Sequence, residues 1–268
     1  MRTRILVGTM VAGLGFAACA KPAPSRSPSA APSAQPAPVA KHTCKPGMVP
    51  IPAGTFMMGE TRPKKAGPQT VWSNDQVAVE AFCMDRTEVT TAAYAACVSA
   101  GKCTRAHTGS VLASCNAGVA GREQHPINCV DWNQADAYCQ AQGLRLPTEE
   151  EWEYAATGGD GRTFSWGNEW PSNQLCWNRY GDGRTYPNST CAVGSYPNGR
   201  SPFGVDDMSG NVMEWTSSPF DDSHRVYRGG CWSFDDPSSV RSARRFGYAP
   251  SSQSGDMGFR CAGSAALP

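Results

Sequence analysis

A charge imbalance is the first thing this chain lacks. Its 268 residues carry 24 Lys and Arg against 23 Asp and Glu, a net charge of +1. Such a balance selects neither nucleic acid nor a strongly acidic partner. Histidine is scarce: His42, His107, His125 and His224 stand far apart, and none of the twelve cysteines forms a Cys-x-x-Cys pair. Zinc is therefore disfavoured and disulfides in an oxidising compartment are favoured. No G-x-S-x-G phrase is present, which removes the usual serine-hydrolase signature.

Turn formers and large aromatics are plentiful, with 28 Gly, 21 Pro and 8 Trp. They predict a loop-rich domain packed around big rings. At the N-terminus, Arg2 and Arg4 precede an apolar stretch, Ile5 to Ala18, too short to anchor in a bilayer. The following Phe16-Ala17-Ala18-Cys19 resembles a bacterial lipoprotein signal, with Cys19 as the lipidated first residue of the mature chain. Lys21 in place of Asp then implies sorting to the outer membrane, facing periplasm or exterior. Residues 1–19 read as the signal and 20–43, rich in Pro, Ala and Ser, as an unfolded tether. Residues 44–263 read as one domain, followed by a tail over 264–268.

Within the domain, Met48 to Phe56 predicts strand, turn, strand. Three helices are expected. The first is capped by Thr90 or Thr91, presents Tyr94, Cys97 and Val98, and ends at Gly101. The second starts at Asp131, places Trp132, Ala135 and Cys139 on one face, and stops at Gly143. The third opens with a Thr148–Glu151 capping box and ends at Gly158. Glu149, Glu150 and Glu151 read as helix-start chemistry, because adjacent helical positions point in different directions. The residue pattern by itself reaches a compact α+β domain with extensive loops and several disulfides.

Eight phrases occur in order: MVPIPAGTFMMG, DRTEVT, HPINCVDWNQADAYC, GLRLPTEEEWEYAA, FSWGNE, PFGVDDMSGNVMEW, YRGGCWS and GFRCA. Together they resemble the formylglycine-generating-enzyme, or sulfatase-modifying-factor, family over the whole stretch from Cys44 to Ala262. The resemblance implies an elaborated C-type-lectin-like α+β fold with little regular secondary structure. It also implies a copper-dependent oxidation of a sulfatase cysteine to formylglycine, with copper held by two cysteines. Copper(I) is soft and low-coordinate, so that chemistry needs two thiolates. Here the first position is Phe234 and the second falls at about Ser239, and no cysteine lies between Cys231 and Cys261. A copper site is not expected, and the oxidase activity is not carried over. The alternative is a retained or altered oxidase using Cys231.

Further site residues follow from the same resemblance. A calcium ion is implied at Asp207, Gly210, Val212 and Glu214, a second at Asn178 and Asp182, and Glu88 matches a cation-binding glutamate. The resemblance pairs Cys139 with Cys261. Cys176 and Cys191 flank a turn-rich loop and form a natural local pair, Cys44 is assigned to Cys83, and Cys97, Cys103, Cys115 and Cys129 stay unassigned. Cys231, standing where the family has Ser, is left as a free thiol. Arg228, Trp232, Phe234, Arg241 and Arg245 form a candidate groove for a peptide, protein or glycan, although arginine in a loop-rich domain more often clamps backbone and carboxylates. The reading is thus a membrane-tethered, non-catalytic member of the family that binds such a ligand.

Overall fold

The computed structural model describes residues 43–59, 75–108, 114–170, 173–177 and 189–265. The segment 1–42, with its signal, lipidation and tether readings, lies outside them, as do Asn178 and Asp182.

The three helices form where their caps place them. Helix α1, Thr91–Ser99, is capped by the Thr90 side chain, which accepts from Ala93 N at 3.2 Å. Helix α2, Trp132–Ala141, has a capping box in which Asp131 and Gln134 bond each other's backbone N–H. Helix α3, Glu149–Thr157, has its Thr148–Glu151 box, and Gly158 at φ 68° ends it in the left-handed region. The glutamates of α3 diverge as expected, Glu149 bonding Arg245 and Glu151 bonding Arg145.

The expected pair of strands at Met48–Phe56 is present as β1, Met48–Ile51, and β2, Gly54–Met57, yet the two do not pair with each other. Pro50 and Pro52 have no N–H to give to a shared ladder. Instead β2 pairs with β3, Gln76–Val79, and β1 pairs with β4, Phe82–Asp85, in a three-stranded antiparallel sheet completed by β9, Ala262–Ser264. A four-stranded sheet holds β5 (Met213–Pro219), β6 (Arg225–Arg228), β7 (Arg245–Tyr248) and β8 (Met257–Gly258) in the order β7-β6-β5-β8.

So little regular structure needs other clamps. Five disulfides supply them: Cys44–Cys83, Cys139–Cys261 and Cys176–Cys191, with the four unassigned cysteines joined as Cys97–Cys103 and Cys115–Cys129. Cys139–Cys261 closes 122 residues and so constrains the unfolded chain most. Two main apolar clusters fill the interior, one around Trp215, Tyr227 and Phe259, the other around Trp152, Ile51 and Met84. A third gathers Phe164, Leu175, Trp177 and Val240. The fold is α+β, disulfide-rich and sparse in regular secondary structure.

Candidate functional site

The loop from Arg228 to Arg245 leaves β6 and returns as β7. Gly229 and Gly230 start it at φ 92° and 67°, a conformation that side chains rarely adopt. A Cβ on Gly230 would lie 2.5 Å from Ser239 O, so the two ends of the loop meet backbone to backbone. Cys231 follows, free and fully buried, with Sγ 3.3 Å from Ser233 Oγ. Burial, reinforced by the Asp256 charge, pushes its thiol up to about 12. A thiol so placed is almost entirely protonated near neutrality and is neither a nucleophile nor a ready metal ligand.

Phe234 is the residue that the family resemblance aligns with the first copper position. It is half-buried, its ring centroid lies 5.4 Å from that of Phe246, and it packs against both the Trp215 and the Trp177 clusters. Ser239 is held by its N–H, which donates to Asp236 O at 2.9 Å. Every described cysteine other than Cys231 is in a disulfide. The donor set therefore does not fit copper(I).

The candidate groove is corrected at Arg228. This residue is fully buried, where it bonds Glu153, Ser242 O at 2.9 Å and Ala243 O at 3.3 Å, and its guanidinium lies 5.5 Å from the Trp152 ring. A charge taken out of water must be paired, and Glu153 supplies the pair. Arg245 is bonded to Glu149 at 2.9 Å and lies over Phe220. Arg241 and Arg244 also have partners, and Arg244 lies 5.2 Å from the Phe246 ring. Trp232 is half-buried, donating from Nε1 to Gly255 O at 3.4 Å. These side chains knit the loop onto α3 and β7.

A second centre lies under the Asp207–Glu214 segment. Arg260, fully buried, clamps Glu214 with two bonds of 2.6 Å and also donates to the carbonyls of Asp85, Arg86 and Asp206. Trp152 Nε1 adds a bond of 2.8 Å to Glu214. Glu214 is thus the counter-ion of Arg260, and both of its oxygens accept hydrogen bonds.

Its neighbours are less satisfied. Asp207 sits at φ 59° and accepts from Gly194 N at 2.6 Å. Burial pushes its carboxyl up to about 6. Glu88 is buried, and neither of its oxygens receives a bond from an N–H or hydroxyl donor. Burial first, and then the Asp207 charge, holds Glu88 well above the usual carboxylate range. Three carboxyls thus face a single guanidinium. Gly210, at φ 84°, and the buried Val212 belong to the same segment. Among the described residues no three His, Cys, Asp or Glu side chains converge in a metal-binding group. An ion here needs backbone oxygens as well.

Against this geometry the comparisons are decisive. The model of the sulfatase-modifying factor enzyme 1-like domain matches residues 33–265. The chain belongs to this family. It is 34% identical to the formylglycine-generating enzyme of Streptomyces coelicolor, an alignment covering 90% of this chain and 96% of that one. It is 38% identical over 164 residues to the inactive C-alpha-formylglycine-generating enzyme 2 of Bos taurus, covering 56% of this chain and 54% of the relative. The chain thus spans about half the length of that bovine protein. Among solved structures, PvdO from Pseudomonas aeruginosa superposes with a TM-score of 0.64 at 28% identity, covering 81% of this chain and 94% of that one. The sulfatase-modifying-factor fold is therefore shared by named enzymes and a named inactive relative, and the site must decide between them.

Sequence reasoning missed the pairing of the buried arginines: Arg228 with Glu153, and Arg260 with Glu214. One available signal is the supply of partners: α3 carries four glutamates, more than capping requires.

Proposed function

We propose that this protein is a non-catalytic sulfatase-modifying-factor domain that serves as a tethered recognition module of the bacterial envelope. One observation carries the proposal: Phe234 packs on Phe246 where a copper thiolate belongs, and the remaining free thiol, Cys231, is buried and protonated. An aromatic ring and a hydroxyl supply no soft donor pair. The inactive bovine relative supports this reading, and the alternative of an oxidase built on Cys231 has no accessible thiolate to start from. Titration of the protein with copper(I) against a competing chelator tests it. No copper should be retained. One copper per chain, lost in Cys231→Ser, would establish the alternative.

The ligand we assign to the module is a peptide, protein or glycan. Lipidation at Cys19 and the tether over 20–43 place the module on the outer membrane, facing periplasm or exterior. Intact mass of membrane-extracted protein checks this, since an unmodified chain retaining residues 1–18 would refute the anchor. Calcium is the cofactor the reading retains. Glu88 and Asp207, with backbone carbonyls of Gly210 and Val212, would hold it, and its charge would balance the carboxyls that Arg260 leaves uncompensated.

A further inference from the structure

Helix α1 is unusual in having no charged residue along TAAYAACVS. Tyr94 and Cys97 face the core and Val98 packs partly against it, whereas Ala95 is exposed. An amphipathic surface helix normally presents polar side chains there. What α1 presents instead is one wall of a cavity of about 310 Å³, whose other walls come from Arg105, Ala106, Ala117 and Ile127.

The walls are fixed from several directions. Cys97–Cys103 ties α1 to the segment carrying Arg105 and Ala106, and Cys115–Cys129 ties the third wall beneath. Tyr94 Oη donates to Thr104 O at 3.0 Å, Gln134 Nε2 to Arg105 O at 2.8 Å, and His107 N to Cys129 O at 3.1 Å. Such a cavity needs little reorganisation when a ligand enters, and its size falls at the lower end of small-ligand sites. Among the described residues, Arg105 is the single charged residue in the lining. It is exposed, and its guanidinium makes no ion pair or side-chain hydrogen bond among the described residues.

We propose that this cavity binds a small monocarboxylate with an apolar body, the body lying against Ala95, Val98 and Ile127 and the carboxylate on Arg105. An unpaired guanidinium beside apolar walls selects an anionic head and disfavours a cationic one. The site is independent of the copper loop and of the calcium centre.

Calorimetric titration of the full chain with octanoate, octan-1-ol and octylammonium tests the assignment. Octanoate should bind saturably at one per chain, more tightly than octan-1-ol, and octylammonium should bind most weakly. Arg105→Ala should weaken octanoate by about tenfold, the scale of a charge-assisted contact, and leave octan-1-ol unchanged. Ala95→Trp, a substitution at an exposed helical position, should remove binding of all three while leaving the melting curve intact. Absence of saturable octanoate binding, or binding indifferent to Ala95→Trp, overturns the site. Indifference to Arg105→Ala overturns the anionic class. Binding of a peptide with an apolar C-terminal residue, where octanoate fails, replaces the small ligand with a polypeptide.

Discussion

Two neighbouring strands carry the two centres, and the centres differ in what they have kept. Glu214 on β5 and Arg228 on β6 are register partners, yet each takes its counter-ion from elsewhere, Arg260 for one and Glu153 for the other. Trp152 touches both, bonding Glu214 and lying beside Arg228. Beyond β6, the loop has two left-handed glycines, an arginine clamp and the aromatic Phe234 packed on Phe246. Beneath β5, the acidic centre holds the Glu88 carboxyl, whose oxygens are left without a hydrogen-bond partner. Backbone geometry and a buried ion pair thus suffice to hold such a loop without thiolates.

The largest effect should come from breaking the acidic centre at its counter-ion. Glu214→Ala removes the carboxylate that clamps the buried Arg260, and breaking a buried ion pair costs about 3–5 kcal/mol. Urea denaturation should register that drop. A change below about 1 kcal/mol would mean that Arg260 is not committed to Glu214.

The frame of the copper loop is broken next. Gly230→Ala places a Cβ against Ser239 O and forces a side chain into φ 67°. Left-handed backbone strain alone costs roughly 1–3 kcal/mol, so the urea midpoint should fall clearly. Retention of the wild-type midpoint would show that the loop does not close here.

Calcium separates the two centres. Against a chelator, saturating calcium should raise the melting temperature, and at about a hundredfold excess over Kd the stabilisation is about 2.7 kcal/mol. Glu88→Gln should abolish the increment, whereas Phe234→Ala should leave it. An equal increment in Glu88→Gln would move the ion elsewhere.

The smallest effect concerns Asp85, whose carboxyl burial pushes up to about 6. Its folded value is raised above the unfolded one, so protonation favours the fold. That contribution is fully present below about pH 4 and is lost as pH rises through about 6. In chelator, the difference in stability between wild type and Asp85→Asn should therefore change over this window. A pH-independent difference would contradict the assignment.

Much of this was legible because local signals are strong. The helix caps at Asp131 and Thr148 are read from side chains three residues apart, and the missing thiolates from the absence of cysteine between Cys231 and Cys261. The pairing of Cys97 with Cys103 and of Cys115 with Cys129 was not legible, because the three connectivities open to four cysteines are equivalent until the loops are placed. Arg228 was misread as groove-lining for a related reason: Glu153 lies 75 residues away, and only the fold brings α3 under β6. The Arg260 clamp on Glu214 was hidden in the same way, lying 46 residues on.

The central claim is that the frame remains and the oxidation chemistry does not. Incubation of the protein with copper, oxygen and a sulfatase-type cysteine peptide, read by mass spectrometry, addresses it directly. The account predicts unmodified peptide at every time point. Copper-dependent accumulation of formylglycine peptide would contradict it.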